Sequence, residues 1–346
     1  MAGQQTNQCN LPSISPREIW FEVRKPVESF TGRHIELQNL HKEVQRNLGK
    51  NEHKLTVISQ MTSISGLGGI GKSEIARMYA REHSHDYDGN VMWINAETYG
   101  TLTESFHRLA KDKLNISTKS IDGQEKDINS IVQEVYRYFS KRKSLFIFDN
   151  AEKLRTEKEG DEGIDRFLPD CLTAGDNEPY IIITSRNQKW GKKIKVISID
   201  TFTEEEAIEF IKKELGIRDD SQEKEIFQLA IKLQCFPLAL QQAVAYIKQM
   251  DKKLKFAEQK FEIADYLIRY EEKTRKLLNY NFPEDNSNCY AKTTFITWEV
   301  TLEKIKQNKY GQQALEVLET IAYFAPDNIP IKIFLDQVKG NTEKLG

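Results

Sequence analysis

The sequence lacks the features that mark secreted and membrane proteins. Its four cysteines are far apart in a chain of 346 residues and form no Cys-x-x-Cys pair, which argues against a disulfide framework or a zinc site. The first ten residues are polar and contain no apolar core of a signal peptide. No apolar run approaches the roughly 20 residues that a membrane helix needs. We therefore expect a cytoplasmic protein with no membrane partner.

An excess of charge of one sign is also missing. Lysine and arginine total 50, aspartate and glutamate total 52, and the formal net charge is −2. Proteins that bind nucleic acid through its phosphates usually carry a basic surface. The lysine-rich stretch at 189–195 is better explained as solvated surface. Nucleic acid is therefore not expected as a partner.

The order of apolar segments predicts three folded parts after a tail. We interpret residues 1–25, in a stretch with three prolines by position 26, as an extended or disordered tail. From 26 to 200, strand-like apolar runs alternate with amphipathic helical patterns, as in an α/β domain. Residues 201–280 have the pattern of a small helical domain. A turn-rich linker then opens residues 281–346, a third and mostly helical unit that the chain leaves incomplete.

Continuous apolar runs predict the core of the α/β domain. "KSLFIFDN" (143–150) and "PYIIITS" (179–185) lack alternation, which is typical of strands buried on both faces of a parallel sheet. We expect three layers, with helices on both sides of the sheet. The helix before the first long strand is expected to bury one face, formed by Ile35, Leu37, Leu40, Val44 and Leu48.

One glycine-rich loop fits two phosphate-binding motifs. Gly66, Gly68 and Gly71 match G-x-G-x-x-G, the dinucleotide-binding fingerprint, and Gly66 to Ser73 match the P-loop pattern G-x-x-x-x-G-K-[ST]. A dinucleotide site needs an acidic residue at the end of the second strand. Asp86 and Asp88 precede that strand here, and Glu97 follows it too late. The sequence therefore favours the P-loop.

The P-loop interpretation assigns a role to each part of this segment. Backbone N–H groups from Gly66 to Gly71, with Gly68, Gly69 and Ile70 between them, would ring the phosphates. Lys72 would place a cation on the β- and γ-phosphates, and the Ser73 hydroxyl would bind Mg²⁺. We therefore expect ADP or ATP with Mg²⁺ as the ligand.

Residues after two other strands complete the expected site. Asp149 ends a buried strand, which we expect to neighbour the P-loop strand, so that Asp149 shares the Mg²⁺ with Ser73. Asn150 follows, and an amide cannot accept a proton from water, so hydrolysis should be slow. Glu152 is not expected to reach in as the base. Arg186 ends another strand and is expected at the terminal phosphate.

The order of these motifs resembles the NB-ARC domain of signal-transduction ATPases, over about residues 26 to 340. The segments that carry the resemblance are FTGRHIELQNL, the P-loop, VMWINAE, LFIFDNAE, IIITSR, FTEEEAIEFI, CFPLALQQAVAYI and ITWEVTLEKI…ALEVLETIAYFAPDNIP. The resemblance implies a P-loop NTPase domain, a helical domain and a partial winged-helix domain. It also implies an ADP/ATP switch in immunity-like or cell-death-like signalling, with self-oligomerisation and effector proteins as partners.

The resemblance also implies roles for residues outside the P-loop. Thr31, Gly32 and Arg33 match the family segment that packs on the adenine and ribose. Pro237 matches the proline of the Gly-Leu-Pro motif, which touches the base from the helical domain. Arg186 matches the sensor arginine, here in "TSR".

Three departures from the family pattern leave alternatives open. Cys235-Phe236-Pro237 replaces Gly-Leu-Pro, and Asn150 replaces the second acid that many members carry. The sequence also ends before the Met-His-Asp motif of the winged-helix unit, so we expect a fragment or a short form. Besides the switch, the sequence therefore leaves open a turnover ATPase and a nucleotide-binding interaction fragment that no longer switches.

Overall fold

The computed structural model describes residues 18–46, 55–60, 68–153, 163–169, 179–187, 190, 195–254, 259–277 and 289–324. The chain forms two compact units that meet between Asp200 and Thr201. Among the described residues, no helix has both the length and the apolar character that crossing a membrane requires.

The first unit alternates strands and helices. Its strands are β1 (Trp20–Phe21), β2 (Leu55–Gln60), β3 (Val91–Asn95), β4 (Leu145–Asp149), β5 (Tyr180–Ser185) and β6 (Lys195–Ile199). Its α-helices are α1 (His34–Arg46), α2 (Lys72–His83), α3 (Tyr99–Arg108) and α4 (Ile128–Phe139). A 3₁₀ turn, Ser84–Tyr87, follows α2, and a π-helical turn, Leu109–Lys113, extends α3.

The six strands form one parallel sheet in the order β1-β3-β4-β5-β2-β6. β2, which leads to the glycine loop, is therefore an internal strand, with β5 on one side and β6 on the other. The prediction that the strand of Asp149 neighbours the P-loop strand is wrong, because β5 lies between β4 and β2. Asp149 nevertheless lies at the same edge as the loop, since parallel strands all end there.

The two faces of the sheet are covered by different helices, which gives the expected three-layer α/β architecture. One face carries Met92 and Phe146, which pack with Phe106 of α3 and Val135 of α4 in a single buried cluster. Helices α1 and α2 pack on the other face against β2, β5 and β6. The continuous apolar runs of β4 and β5 are buried at every position, as the sequence predicted.

Helix α1 buries most, but not all, of its predicted face. Leu37, Leu40 and Val44 are buried, whereas Ile35 is 72% exposed. The prediction for Ile35 is wrong because it lies in the first turn, two positions before Leu37 and so on a different side of the helix. Leu48, the last residue predicted for this face, lies outside the described residues.

Part of the chain that was predicted as a tail belongs to the sheet, and it bends at Glu22, which has φ 55°. Trp20 and Phe21 pair in parallel with Val91 and Met92 of β3. Ile19 and Phe21 are buried in the same cluster as α3 and α4. These two side chains extend the apolar core beyond β3.

The second unit is helical throughout its described part. Its helices are α5 (Glu204–Leu215), α6 (Glu223–Lys232), α7 (Pro237–Leu254), α8 (Ile263–Leu277), α9 (Cys289–Lys306) and α10 (Gly311–Ile321). α9 packs on α7 and α8, and α10 packs on α9. The last two residues of the predicted linker, 289 and 290, are helical. A separate winged-helix domain from about residue 281 stays a prediction.

Candidate nucleotide-binding site

The described part of the glycine loop has the backbone that only glycine adopts easily. Gly69 and Gly71 have φ angles of 101° and 98°, in the left-handed region. Gly71 is the residue before α2, and its carbonyl accepts the first helical hydrogen bond, from the Ile75 N–H at 2.9 Å. The loop therefore leads directly into a helix N-terminus, where free N–H groups attract anions. Gly66, the first glycine of the motif, lies outside the described residues.

Lys72 is a buried cation: the residue is only 7% exposed. Burial lowers the pKa of Lys72, and the positive charge of Arg186 lowers it further, while Glu152 and Asp149 act in the opposite direction. Within the described part of the chain, no ion pair joins Lys72 to a carboxylate. The Lys72 and Arg186 cations are therefore close enough at this edge of the sheet for one to act on the charge of the other.

Ser73 and Asp149, the two expected metal ligands, lie in direct contact. The Ser73 hydroxyl donates a hydrogen bond of 2.7 Å to Oδ1 of Asp149. The same Oδ1 accepts a hydrogen bond from the hydroxyl of Thr184, on β5. Thr184 is fully buried, and its Oγ1 also accepts the backbone N–H of Asn150 at 2.9 Å. Thr184 thus holds the carboxylate in place from the intervening strand.

The residues after Asp149 turn sharply. Asn150 has φ 62°, a left-handed conformation in which asparagine is one of the few favoured residues, and its side chain is exposed. This backbone gives a structural reason for asparagine at this position. Beyond it, the carboxylate of Glu152 accepts a hydrogen bond of 2.6 Å from Nε of Arg186. Glu152 is therefore engaged by Arg186.

Arg33 fastens the glycine loop to the sheet. Its guanidinium donates to the carbonyls of Ile70 (3.2 Å) and Asp200 (2.8 Å) and pairs with Glu36 at 2.9 Å. The side chain is 4% exposed, and residues Gly32 and Arg33 both have φ 62°. Arg33 therefore joins the start of α1, the last part of the P-loop and the end of β6.

Replacing Arg33 by methionine is expected to lower the free energy of unfolding by about 2–3 kcal/mol. The change leaves the buried carbonyl of Ile70 and the carbonyl of Asp200 without a donor. Urea unfolding followed by circular dichroism measures the effect. Glu36→Gln, which keeps both carbonyl contacts, is the matched control and should cost less than about 1 kcal/mol. Equal effects of the two changes would contradict the assignment.

A comparison with protein families identifies the chain. The model of the NB-ARC domain family matches residues 37–221, which is more than half of the chain. The chain belongs to the NB-ARC family. The match includes the P-loop, β4 with Asp149, and β5 with Thr184.

Other known proteins are similar to this chain in sequence or in fold. A nucleotide-binding leucine-rich repeat (NLR)-like protein from Hyaloscypha variabilis is 24% identical over 308 residues, which is 80% of this chain and 29% of that protein. The chain thus spans less than a third of the length of this curated relative. Among solved structures, the Aeropyrum pernix ORC2 protein matches with TM-score 0.48 and 11% identity, over 92% of this chain and 88% of that one. A mutant of Thermotoga maritima RuvB matches with TM-score 0.41 and 13% identity, over 75% of this chain and 74% of that one.

Two residues of the segment before α1, Thr31 and Arg33, make hydrogen bonds within the first unit. Thr31 is buried, and its hydroxyl donates to the carbonyl of Ser29 at 2.7 Å. The Arg33 side chain contacts the P-loop backbone and the end of β6, contacts that sequence reasoning did not include. The roles of Thr31, Gly32 and Arg33 toward the base and sugar stay predictions.

The Cys235-Phe236-Pro237 segment of the second unit follows a left-handed turn. Cys235, at the position of the motif's glycine, has φ 51°, and Gln234 before it has φ 56°. Phe236 is fully buried, and Pro237 begins α7 as expected of a proline in a first helical turn. The proposed contact of Pro237 with the base stays a prediction.

Proposed function

We propose that this chain is a nucleotide-controlled signalling switch that holds ADP or ATP with Mg²⁺ and hydrolyses ATP slowly. The observation that carries the proposal is the pair of cations, Lys72 and Arg186, beside the Ser73–Asp149 pair at the P-loop. Membership of the NB-ARC family supports nucleotide binding. The finer assignment of an ADP/ATP switch rests on the chemistry of these side chains.

The residues present fit a phosphate group with a hard cation. Lys72 is a buried ammonium that a bound phosphate would compensate, since burial and Arg186 disfavour its charge in the free protein. Ser73 and Asp149 offer a hydroxyl and a carboxylate within 2.7 Å of each other, and oxygen ligands of these two kinds suit Mg²⁺. When bound, Mg²⁺ would neutralise charge between the phosphates. The chain's part is to hold these oxygens in place, through Thr184.

Slow hydrolysis follows from what surrounds Asp149. A general base must lie within reach of the attacking water and be free to accept its proton. Asn150 carries an amide and cannot do this. Glu152, the next carboxylate along the chain, is paired with Arg186 in this structure, and slow hydrolysis further requires that Glu152 stay out of reach of the water when Arg186 moves to a phosphate. We therefore assign to this site the binding of a nucleotide and little of its turnover.

The Arg186–Glu152 pair gives the switch a physical basis. Both side chains are partly exposed, at 46% and 39%, so the pair is weak enough to exchange partners. A terminal phosphate would compete with Glu152 for the guanidinium, because arginine forms charge-assisted hydrogen bonds with phosphate as well as with carboxylate. We propose that the position of Arg186 reports whether that phosphate is present, and that Pro237 conveys this state to the second unit.

The setting of the switch is proposed by similarity. The NLR-like relative matches over most of this chain, which supports protein partners, either further copies of the chain or effector proteins. We propose action in the cytoplasm, in immunity-like or cell-death-like signalling. The helices after residue 281 would form the start of a winged-helix domain.

The nucleotide content and turnover of the purified protein test the proposal. We expect ADP to be released when the protein is denatured, and steady-state hydrolysis well below about 1 s⁻¹, the low end for ordinary enzymes. Chromatography of the released nucleotide and a coupled phosphate assay provide these measurements. A protein that copurifies with no nucleotide and binds none when it is added would contradict the proposal.

A turnover ATPase is the second candidate, and Glu152 is the observation that favours it. If a terminal phosphate draws Arg186 away, Glu152 is released beside Asp149 and becomes available as a base. Hydrolysis faster than about 1 s⁻¹ that is lost in Glu152→Gln would establish this alternative. Slow hydrolysis that Glu152→Gln leaves unchanged would support the switch.

A further inference from the structure

Three ligand-type side chains from different parts of the first unit meet beyond the nucleotide site. His41 lies on α1, His83 ends α2, and Asp86 lies in the 3₁₀ turn that follows. One ligand atom from each lies within 4.8 Å of the other two. We call these residues the histidine cluster. It lies at the end of α2 opposite to Lys72 and Ser73.

The spacing within the histidine cluster is close to that of a metal site. Nδ1 of His83 lies 3.1 Å from Oδ2 of Asp86. Tetrahedral zinc, with bonds of about 2.0–2.1 Å, separates neighbouring ligand atoms by about 3.3 Å. The rings of His41 and His83 are stacked, with centroids 4.0 Å apart and planes 15° from parallel. The lone pairs of two stacked imidazoles lie in nearly parallel planes, so at least one of the two rings must rotate before both can bind the same ion. His41, His83 and Asp86 are only partly buried, which allows this rotation.

Neighbouring groups hold the cluster in the way that metal ligands are usually held. The Tyr79 hydroxyl lies 3.4 Å from Nδ1 of His41 and 2.6 Å from the hydroxyl of Tyr87. Both tyrosines are fully buried, so this support is rigid. On the other side, Nε2 of His85 lies 3.2 Å from Oδ1 of Asp86. Contacts of this kind orient imidazole and carboxylate ligands and increase metal affinity.

We propose that His41, His83 and Asp86 bind one zinc ion. Two imidazoles and one carboxylate form a ligand set that suits zinc, with water in the fourth position. Asp86 supplies Oδ2, and His85 positions the carboxylate through Oδ1. The ion crosslinks α1 to the C-terminal end of α2. The site is independent of the proposed nucleotide switch.

A crosslink at this point acts on the elements that carry the P-loop. α1 begins directly after Arg33, which contacts the P-loop carbonyl of Ile70, and α2 begins with Lys72. Zinc would fix the two helices relative to each other at their far ends. It therefore stabilises the first unit without contacting the nucleotide site.

Zinc titration of the nucleotide-free full chain tests the site. We expect one zinc ion per chain by isothermal titration calorimetry and a rise of several degrees in the Tm with excess Zn²⁺. His41→Asn and His83→Asn should each lower the affinity at least about tenfold and abolish the Tm rise. His107→Asn, on α3, is the matched control and should leave both unchanged.

Cobalt substitution gives a measurement that does not depend on variants that fold. Co²⁺ bound to the wild-type chain should show a tetrahedral visible spectrum without the near-ultraviolet band of thiolate ligands. A thiolate band would overturn the proposal by placing the ion on a cysteine. Absence of zinc binding, or affinity unchanged within twofold in both His41→Asn and His83→Asn, would overturn it as well. If either histidine variant does not fold, Asp86→Asn serves in its place.

Discussion

Replacing Lys72 by methionine is expected to weaken the binding of ADP and ATP by about ten- to a hundredfold. The ammonium group is the cation that the P-loop places against the phosphates. A hydrogen bond to a charged group contributes about 1.5–3 kcal/mol, and each 1.4 kcal/mol is tenfold in affinity. Titration with a fluorescent ADP analogue measures the loss. Lys141→Met, at an exposed position, is the matched control.

The same change is expected to stabilise the nucleotide-free protein. Burial and Arg186 lower the pKa of Lys72 in the folded state, so the folded protein disfavours the charge that the unfolded chain accepts. This penalty is fully present below the lowered pKa of folded Lys72 and is lost as the pH rises from there through the unfolded pKa of lysine. Methionine keeps the volume and removes the charge. We expect a Tm higher by about 2–4 °C for each kcal/mol gained.

The combination of the two effects identifies a binding residue. A lysine with a purely structural role would lose stability on replacement, and a surface lysine would change nothing. Lower Tm together with unchanged affinity would therefore contradict the site. The gain in Tm should shrink as the pH rises from the lowered pKa of folded Lys72 and should vanish above the ordinary pKa of lysine, about 10.4, because the wild-type lysine is then uncharged in both states.

The elements of the first unit could be predicted because their patterns are strong. The apolar runs of β4 and β5 are typical of buried strands, and both strands are buried at every position. The lateral order of the strands could not be predicted in this way, because periodicity within a segment does not say which strand lies beside it. The prediction from the sequence therefore placed β4 next to β2, whereas β5 lies between them.

The site residues divide in the same manner. Ser73 and Asp149 were predicted as a pair from motif and strand end, and the structure brings them to 2.7 Å. Thr184 was missed because a threonine in an apolar run looks like an ordinary strand residue. The two carbonyl contacts of Arg33 were missed because they join residues 37 and 167 positions apart. The sequence feature that could have indicated a structural role for Arg33 is the Gly32-Arg33 pair directly before α1.

Asn150 has a structural role that the sequence did not indicate. In the sequence it stands where many members of the family carry a second acidic residue. In the structure it is also a left-handed turn residue, with φ 62°, that carries the chain from β4 away from the sheet. Its N–H is held by Thr184, the same residue that holds Asp149. The turn and the carboxylate are therefore positioned by one buried hydroxyl.

Replacing Asp149 by asparagine is expected to abolish the effect of Mg²⁺ on ATP binding. The carboxylate is the one negative charge in contact with Ser73, and the amide has nearly the same shape but no charge. In the wild type, removing Mg²⁺ with EDTA should weaken ATP binding. In Asp149→Asn, affinities with and without Mg²⁺ should agree within about twofold, and residual hydrolysis should fall by about a hundredfold, or roughly 2.7 kcal/mol.

The design separates a metal ligand from a structural residue. Asp149 accepts two hydroxyl hydrogen bonds, and an amide oxygen can still accept both, so the Tm should change little. Asp112→Asn, at an exposed position, is the control for loss of one negative charge. If Asp149→Asn keeps a full Mg²⁺ effect, the carboxylate serves only to anchor Ser73 and Thr184. The metal would then be held by other groups, and the proposed role of this strand end would be wrong.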